Sequence, residues 1–164
     1  LAHVTSVTEL ARCLCGIMED SGTVKGWAAF LGHIDLRSGM LRYFLAGDVL
    51  ALLYRAKTGD VELLPSDMGA LGWLPFECGN HMIQLAPGDV LASMTDGLWQ
   101  GMCCLAGAEG DWTEGLKNTF SEAARRDGTA TEVVERVMAS SFVRKSLECV
   151  PDDATIAVVK FNRS

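Results

Sequence analysis

Residues 85–98 read LAPGDVLASMTDGL, and the interpretation of the whole chain follows from this stretch. The turn residues 86–88, Ala-Pro-Gly, precede a mainly apolar run at 89–95, which predicts a strand. The strand delivers a carboxylate, Asp96, to its C-terminal end. Gly97 follows at once, and glycine permits a sharp turn there.

A second acidic stretch, PDDATIAVV at residues 151–159, has the opposite order. Asp152 and Asp153 come immediately before an apolar strand. If this last strand pairs antiparallel with the strand that ends at Asp96, the end of one lies beside the start of the other. The sequence therefore predicts that Asp96 and Asp152 converge, although they are far apart in the chain.

Carboxylates held close together repel each other unless a cation compensates, and a hard divalent ion with oxygen ligands is the usual compensation. Mg²⁺ or Mn²⁺ suits such a site because it keeps several waters and acidifies them. The alternative is structural: Asp96 and Gly97 form an ordinary turn, while Asp152 and Asp153 cap a surface loop. The residues alone leave both interpretations open.

The remaining pattern predicts an α+β domain with mainly antiparallel sheet. Ser6 begins a capping box and a helix that extends to Met18, and further helices are predicted to begin at Asp111 and Thr129. Strands are predicted at 27–35, 40–46, 49–55, 61–64, 82–85, 89–95 and 155–161. The order is one helix, a group of strands, two helices and a last strand, in a single domain over residues 1–164.

Composition narrows the functional classes. The 164 residues carry a formal net charge of −7 and no visible basic patch, which argues against nucleic-acid and anionic-membrane partners. No apolar run reaches the ~20 residues of a membrane helix. The six cysteines lack zinc-site spacing, so we expect buried, reduced thiols and a cytoplasmic protein.

In order and spacing, these motifs resemble the metal-dependent PP2C-type (PPM) phosphatases. The bacterial branch that contains sporulation stage II protein E and the sigma-factor regulator phosphatases is the most similar. Residues 85–98 resemble its "GD…TDG" segment, and 151–159 its closing "DD" strand. Residues 39–47 resemble its "G.l.y.naGh" hairpin, and 65–74 its Gly- and Pro-containing loop. The resemblance covers nearly the whole chain.

The resemblance implies a sandwich of two antiparallel sheets flanked by helices, and hydrolysis of phosphoserine or phosphothreonine by a metal-bound water. No side chain is implied as catalytic beyond that water. The implied Mn²⁺ or Mg²⁺ ligands are Asp96 and Asp152, with Asp153 as a weaker candidate and Gly97 as part of the site backbone. The implied partner is a phosphoprotein, such as a regulator in a sigma-factor cascade, and a homodimer is an alternative.

The chain departs from the family pattern in two places. Asp48 stands where the family commonly has His; it could add a carboxylate to the site, although a polar turn residue is the simpler interpretation. The family also has an early Asp motif that bridges two metals, and nothing before Ser6 matches it. Three explanations are open: a fragment with its first strands missing, a non-catalytic relative that binds a signalling partner or itself, or a site completed by another chain.

Overall fold

The computed structural model describes residues 6–20, 26–66, 69–71, 81–106, 111–149 and 152–162. These residues form five helices and seven strands, and the contacts divide the chain into two compact units. The first unit is Leu1–Val49 with Pro65–Leu85, and the second is Leu50–Leu64 with Ala86–Ser164. Among the described residues, no helix is long and apolar enough to cross a membrane.

The first unit contains a three-stranded antiparallel sheet and one helix. The sheet order is β1 (Ala29–Asp35), β2 (Met40–Ala46) and β5 (His81–Gln84), and the helix is α1 (Val7–Asp20). The helix begins as predicted, because the Ser6 hydroxyl accepts a hydrogen bond from the Glu9 N–H at 3.1 Å. Its inner face joins the sheet in a small core of Ala11, Cys15, Phe44, Ala46 and Leu71.

The second unit contains a four-stranded antiparallel sheet in the order β4 (Val61–Leu63), β3 (Leu50–Tyr54), β6 (Val90–Met94) and β7 (Ile156–Lys160). Four helices belong to the same unit: α2 (Asp96–Ala106), α3 (Trp112–Arg125), α4 (Ala130–Ala139) and α5 (Ser141–Cys149). Their apolar faces pack with one face of the sheet in the larger core, where Leu52, Ala92, Met102, Phe120 and Val137 are fully buried. β6, the strand that ends next to Asp96, lies between β3 and β7 and is therefore an inner strand of the sheet.

The start of β6 is anchored by a buried carboxylate. Asp89 is only 2% exposed, and its two oxygens accept hydrogen bonds from the backbone N–H groups of Ala56 (2.9 Å) and Ala86 (3.0 Å). The guanidinium of Arg55 adds an ion pair at 3.2 Å. Arg55 also pairs with Glu62, and mainly that hydrogen bond raises the pKa of Arg55. The Asp in the "GD" segment therefore fixes the turn before β6 to the end of β3.

Two of the helices were not predicted from the sequence. Asp96 begins α2 rather than an isolated turn, and α5 follows α4 after Ser140 alone. The two unpredicted helices pack closely: a Cβ on Gly101 would lie 2.6 Å from the carbonyl carbon of Ser146. Because real Cβ atoms do not approach so closely, the absence of a side chain at Gly101 permits this helix contact.

β2 and β3 follow each other in the predicted group of strands but belong to different sheets. Gly47 and Asp48 therefore connect the two sheets and do not form a hairpin turn between paired strands. Gly47 has a φ of +72°, and a Cβ there would lie 2.8 Å from the Cα of Ala28. Both facts explain why glycine stands at this connection. The expectation of buried cysteines holds for Cys15, whereas Cys13, Cys104 and Cys149 are exposed.

The capping box predicted at Thr129 is present at the start of α4. The Glu132 carboxylate accepts a hydrogen bond from the Thr129 N–H at 2.6 Å, and this contact lowers the pKa of Glu132 below its ordinary value of 4.5. A carboxylate with a depressed folded-state pKa stabilises the fold above its unfolded pKa. That contribution is lost as the pH falls through the folded-state value.

We therefore expect wild type to be more stable than Glu132→Gln at neutral pH, and the difference to shrink once the pH falls below 4.5. Urea unfolding of both proteins, followed by circular dichroism at neutral pH and at a pH below 4.5, measures the difference in the free energy of unfolding. A difference that stays constant across the range would contradict the assignment.

Candidate metal centre

The two acidic turns meet because β6 and β7 pair antiparallel, as the sequence predicted. Met94 at the end of β6 lies opposite Ile156 at the start of β7. The pairing continues beyond the strands, since the Thr95 N–H donates to the Thr155 carbonyl at 3.0 Å. Beyond this bond lie Asp96 on one side and the acidic residues Asp152 and Asp153 on the other. Residues 152–155, which precede β7, are called the closing turn.

The hydroxyl of Thr95 links the two turns directly. Its Oγ1 accepts a hydrogen bond from the Thr155 N–H at 2.9 Å and donates to the Asp153 carbonyl at 3.4 Å. One side chain thus satisfies two backbone groups of the closing turn, in addition to the backbone bond from its own N–H. These hydrogen bonds hold the closing turn in a defined position next to Asp96.

Gly97 brings the two turns into backbone contact. A Cβ at this position would lie 2.9 Å from the carbonyl carbon of Asp153 and 3.3 Å from that of Asp152. It would also overlap the Asp153 carbonyl oxygen. Any side chain at Gly97 would therefore push the closing turn away from Asp96. The requirement for glycine in the "TDG" segment is thus steric.

The Asp96 carboxylate is partly buried and held at both oxygens. Oδ1 accepts a hydrogen bond from the Gly97 N–H at 3.1 Å, and Oδ2 accepts one from Nε2 of Gln100 at 3.0 Å. Asp96 is also the first residue of α2, where a negative charge is favourable. Asp152 and Asp153 are exposed, and Oδ1 of Asp152 accepts a hydrogen bond from the Asp153 N–H at 2.8 Å.

The donor chemistry of these turns fits a hard divalent cation. Asp96, Asp152 and Asp153 offer carboxylate oxygens, which are the ligands that Mg²⁺ and Mn²⁺ prefer. Over the described ranges, however, no group of three or more His, Cys, Asp or Glu side chains is arranged to hold a metal ion. The turns thus supply donors of the right kind for part of a site. Asp48 belongs to the other unit, and its contribution stays a prediction.

Thr95 and Gln100 were missed by sequence reasoning. The signal for Gln100 was its spacing four residues after Asp96, which places the two side chains on one face of a helix. That spacing has meaning only once Asp96 is known to begin α2. Thr95 gave no such signal, because its partners lie in the closing turn.

We expect Thr95→Val to lower the free energy of unfolding by about 1–2 kcal/mol, because the closing turn loses two hydrogen bonds at a partly exposed position. Thr95→Ser, which keeps the hydroxyl, should lose less. Chemical denaturation of both variants measures the difference. A smaller loss in Thr95→Val than in Thr95→Ser would show that the methyl group, and not the hydroxyl, supports the turn.

Comparison with known proteins agrees with this architecture. The model of the stage II sporulation protein E (SpoIIE) family matches residues 2–162. The chain belongs to the SpoIIE family. The predicted α+β class, with two antiparallel sheets and helices, is confirmed, and the fold is that of PP2C phosphatase domains. A search of curated protein sequences found no significant match.

Solved structures place this SpoIIE-family chain among bacterial phosphatase domains by fold. The RsbU and RsbW domains of a Mycobacterium tuberculosis protein superpose with a TM-score of 0.73 at 19% identity, over 99% of this chain and 43% of that one. The SiaA PP2C domain of Pseudomonas aeruginosa gives 0.70 at 21%, over 94% and 61%. The phosphatase domain of Bacillus subtilis SpoIIE gives 0.63 at 17%, over 98% and 77%.

The chain therefore spans less than half of the length of the Mycobacterium structure. Two of the similar proteins were studied with metals: the Bacillus SpoIIE phosphatase domain was presoaked with Mn, and RsbX was solved in complex with magnesium. Those ions belong to the related proteins.

Proposed function

We propose that this chain supplies the Asp96 and Asp152 metal-binding turns of a PP2C-type phosphatase that hydrolyses phosphoserine or phosphothreonine on a regulatory phosphoprotein. One observation carries the proposal: Gly97 lies against the backbone of Asp152 and Asp153, so that two acidic turns share one end of the β6–β7 pair. The family membership and the metals named for Bacillus SpoIIE and RsbX support the same function.

The roles of the residues follow from their positions. Asp96 and Asp152 would hold a Mn²⁺ or Mg²⁺ ion, Asp153 is a weaker ligand candidate, and Gly97 lets the turns approach. When bound, such an ion supplies Lewis-acid activation of water and neutralises phosphate charge. Thr95 keeps the turns in register, and the Gln100 amide contacts the Asp96 carboxylate.

The substrate side of the proposal is a phosphorylated regulator in a signalling cascade of the cytoplasm. Similar structures include an RsbU domain solved with an RsbW domain, and one from the bacterial stressosome system. Those associations belong to the related proteins, and the substrate class that we propose to test first is a small phosphorylated regulator.

The test is phosphate release from p-nitrophenyl phosphate and from phosphoserine and phosphothreonine peptides, using the chain expressed in its complete natural reading frame. We expect release with Mn²⁺ that EDTA abolishes and added Mn²⁺ restores. No Mn²⁺-dependent release from any of these substrates would overturn the proposed activity.

A second candidate function is a phosphatase-like module that binds a signalling partner or a second copy without catalysis. The observation that favours it is the lack, in the part of the chain that the structure describes, of three grouped metal-ligating side chains. This candidate predicts no phosphate release together with self-association, or complex formation, in sedimentation velocity. Mn²⁺-dependent turnover would exclude it.

A further inference from the structure

The contact between Gln100 and Asp96 links the metal-binding turn to the body of helix α2. Nε2 of Gln100 donates to Oδ2 of Asp96 at 3.0 Å, one helical turn from the carboxylate. The other carboxylate oxygen, Oδ1, accepts from the Gly97 N–H at 3.1 Å. A carboxylate held at both oxygens has a defined plane, and each oxygen keeps a further lone pair for a cation.

The position of Gln100 is itself fixed by packing. Leu98 and Met102, on either side of it, are buried in the core of the second unit. The next residue, Gly101, lies so close to α5 that an added Cβ would be 2.6 Å from the carbonyl carbon of Ser146. Helix α2 is therefore held against rotation, and the Gln100 amide is presented to Asp96 from a rigid element.

We propose that Gln100 is a positioning residue that orients the Asp96 carboxylate for cation binding. This inference rests on the proposed function, since it assumes that Asp96 is a metal ligand. Hydrogen bonds from neighbouring groups to a metal-ligating side chain fix its orientation, and their loss typically weakens metal affinity by 10–100-fold. Glutamine suits this role because its amide N–H donates a hydrogen bond and the side chain stays neutral at every pH.

The alternative is that the Gln100–Asp96 contact only supports the first turn of α2. A single pair of this kind at helical spacing contributes little to stability. Its removal would shift the Tm by less than about 2 °C and leave metal affinity unchanged. Metal binding therefore separates a positioning role from a purely structural one.

The experiment measures Mn²⁺ binding directly, from the free-ion signal in electron paramagnetic resonance, with the chain in its complete reading frame. Gln100→Met keeps the length of the side chain and removes the donor, and Gln100→Ala is a second variant with high helix propensity. The matched control is Asn118→Leu, an amide-to-apolar change at an exposed position on α3. Asp96→Asn reports whether Asp96 is a ligand at all.

We expect both Gln100 variants to bind Mn²⁺ about 10-fold more weakly than wild type, with Tm values within about 2 °C of it and Asn118→Leu unchanged. Wild-type affinity in the Gln100 variants, together with loss of binding in Asp96→Asn, would overturn the inference and leave the proposed function standing. Equal binding, or no binding, in wild type and Asp96→Asn would overturn both.

Discussion

Asp96→Asn should reduce Mn²⁺-dependent phosphate release by at least about 100-fold, because it removes the charge of the carboxylate that we propose as a metal ligand. Asparagine keeps one oxygen that can accept from the Gly97 N–H, so the start of α2 should remain intact. The loss should therefore appear in turnover and Mn²⁺ dependence rather than in folding. Steady-state kinetics over a Mn²⁺ titration, with Tm measured in parallel, checks both parts.

The matched control for this substitution is Asp127→Asn, which makes the same chemical change at an exposed residue between α3 and α4. It should keep wild-type turnover. Asp152→Asn should behave like Asp96→Asn if the two turns serve one ion. Full activity in Asp96→Asn would remove Asp96 from the site.

Asp89→Ala should destabilise the second unit by about 3–5 kcal/mol, because the buried carboxylate is the shared acceptor of an ion pair and of two backbone hydrogen bonds. The N–H groups of Ala56 and Ala86 lose this acceptor, whereas the Arg55 guanidinium, whose side chain is 25% exposed, keeps its pair with Glu62. In a domain of this size, the Tm should fall by about 10 °C. Thermal unfolding followed by circular dichroism measures the change.

The control uses the other partner of Arg55. Glu62 pairs with the same guanidinium at 2.7 Å, but its side chain is 48% exposed. An exposed pair of this kind contributes about 0–1 kcal/mol, so Glu62→Gln should cost far less than Asp89→Ala. Similar losses in the two variants would show that burial of Asp89 is not what makes its contact strong.

The sequence was sufficient where local chemistry decides the structure. β2 has the predicted bounds, 40–46, and the capping residues Ser6, Asp111 and Thr129 mark three helix starts. The pairing of the last strand with β6 also followed from the apolar runs and their acidic ends. The strand bounds and the helix starts depend on hydrogen bonds and periodicity within short segments.

Helix α2 could not be predicted in the same way. It contains Gly97 and Gly101, and glycine disfavours the helix interior by about 1 kcal/mol relative to alanine. Both glycines are explained by contacts across the chain, with the Asp153 carbonyl and with α5 at Ser146. Tertiary packing thus outweighs local preference in this segment.

Helix α5 escaped prediction for a different reason. Only Ser140 separates it from α4, too short a break to stand out in the pattern. Ser140 ends α4 through its N–H, and its hydroxyl accepts from the Val143 N–H at 3.2 Å at the start of α5. One residue therefore ends one helix and begins the next.

The candidate site was predictable in part. Convergence of the turns at Asp96 and Asp152 follows from strand pairing, whereas the metal roles of Asp96, Asp152, Asp153 and Gly97 stay predictions. The supporting roles of Thr95 and Gln100 required the structure, because the partners of Thr95 are remote in sequence and Gln100 acts through an unpredicted helix.

Anomalous X-ray diffraction from crystals soaked in Mn²⁺ tests the shared site most directly. We expect an anomalous peak bonded at about 2.1 Å to a carboxylate oxygen of Asp96, with Asp152 bound to the same ion directly or through water. No peak at these turns at saturating Mn²⁺, or a peak that touches neither Asp96 nor Asp152, would rule out the shared metal site.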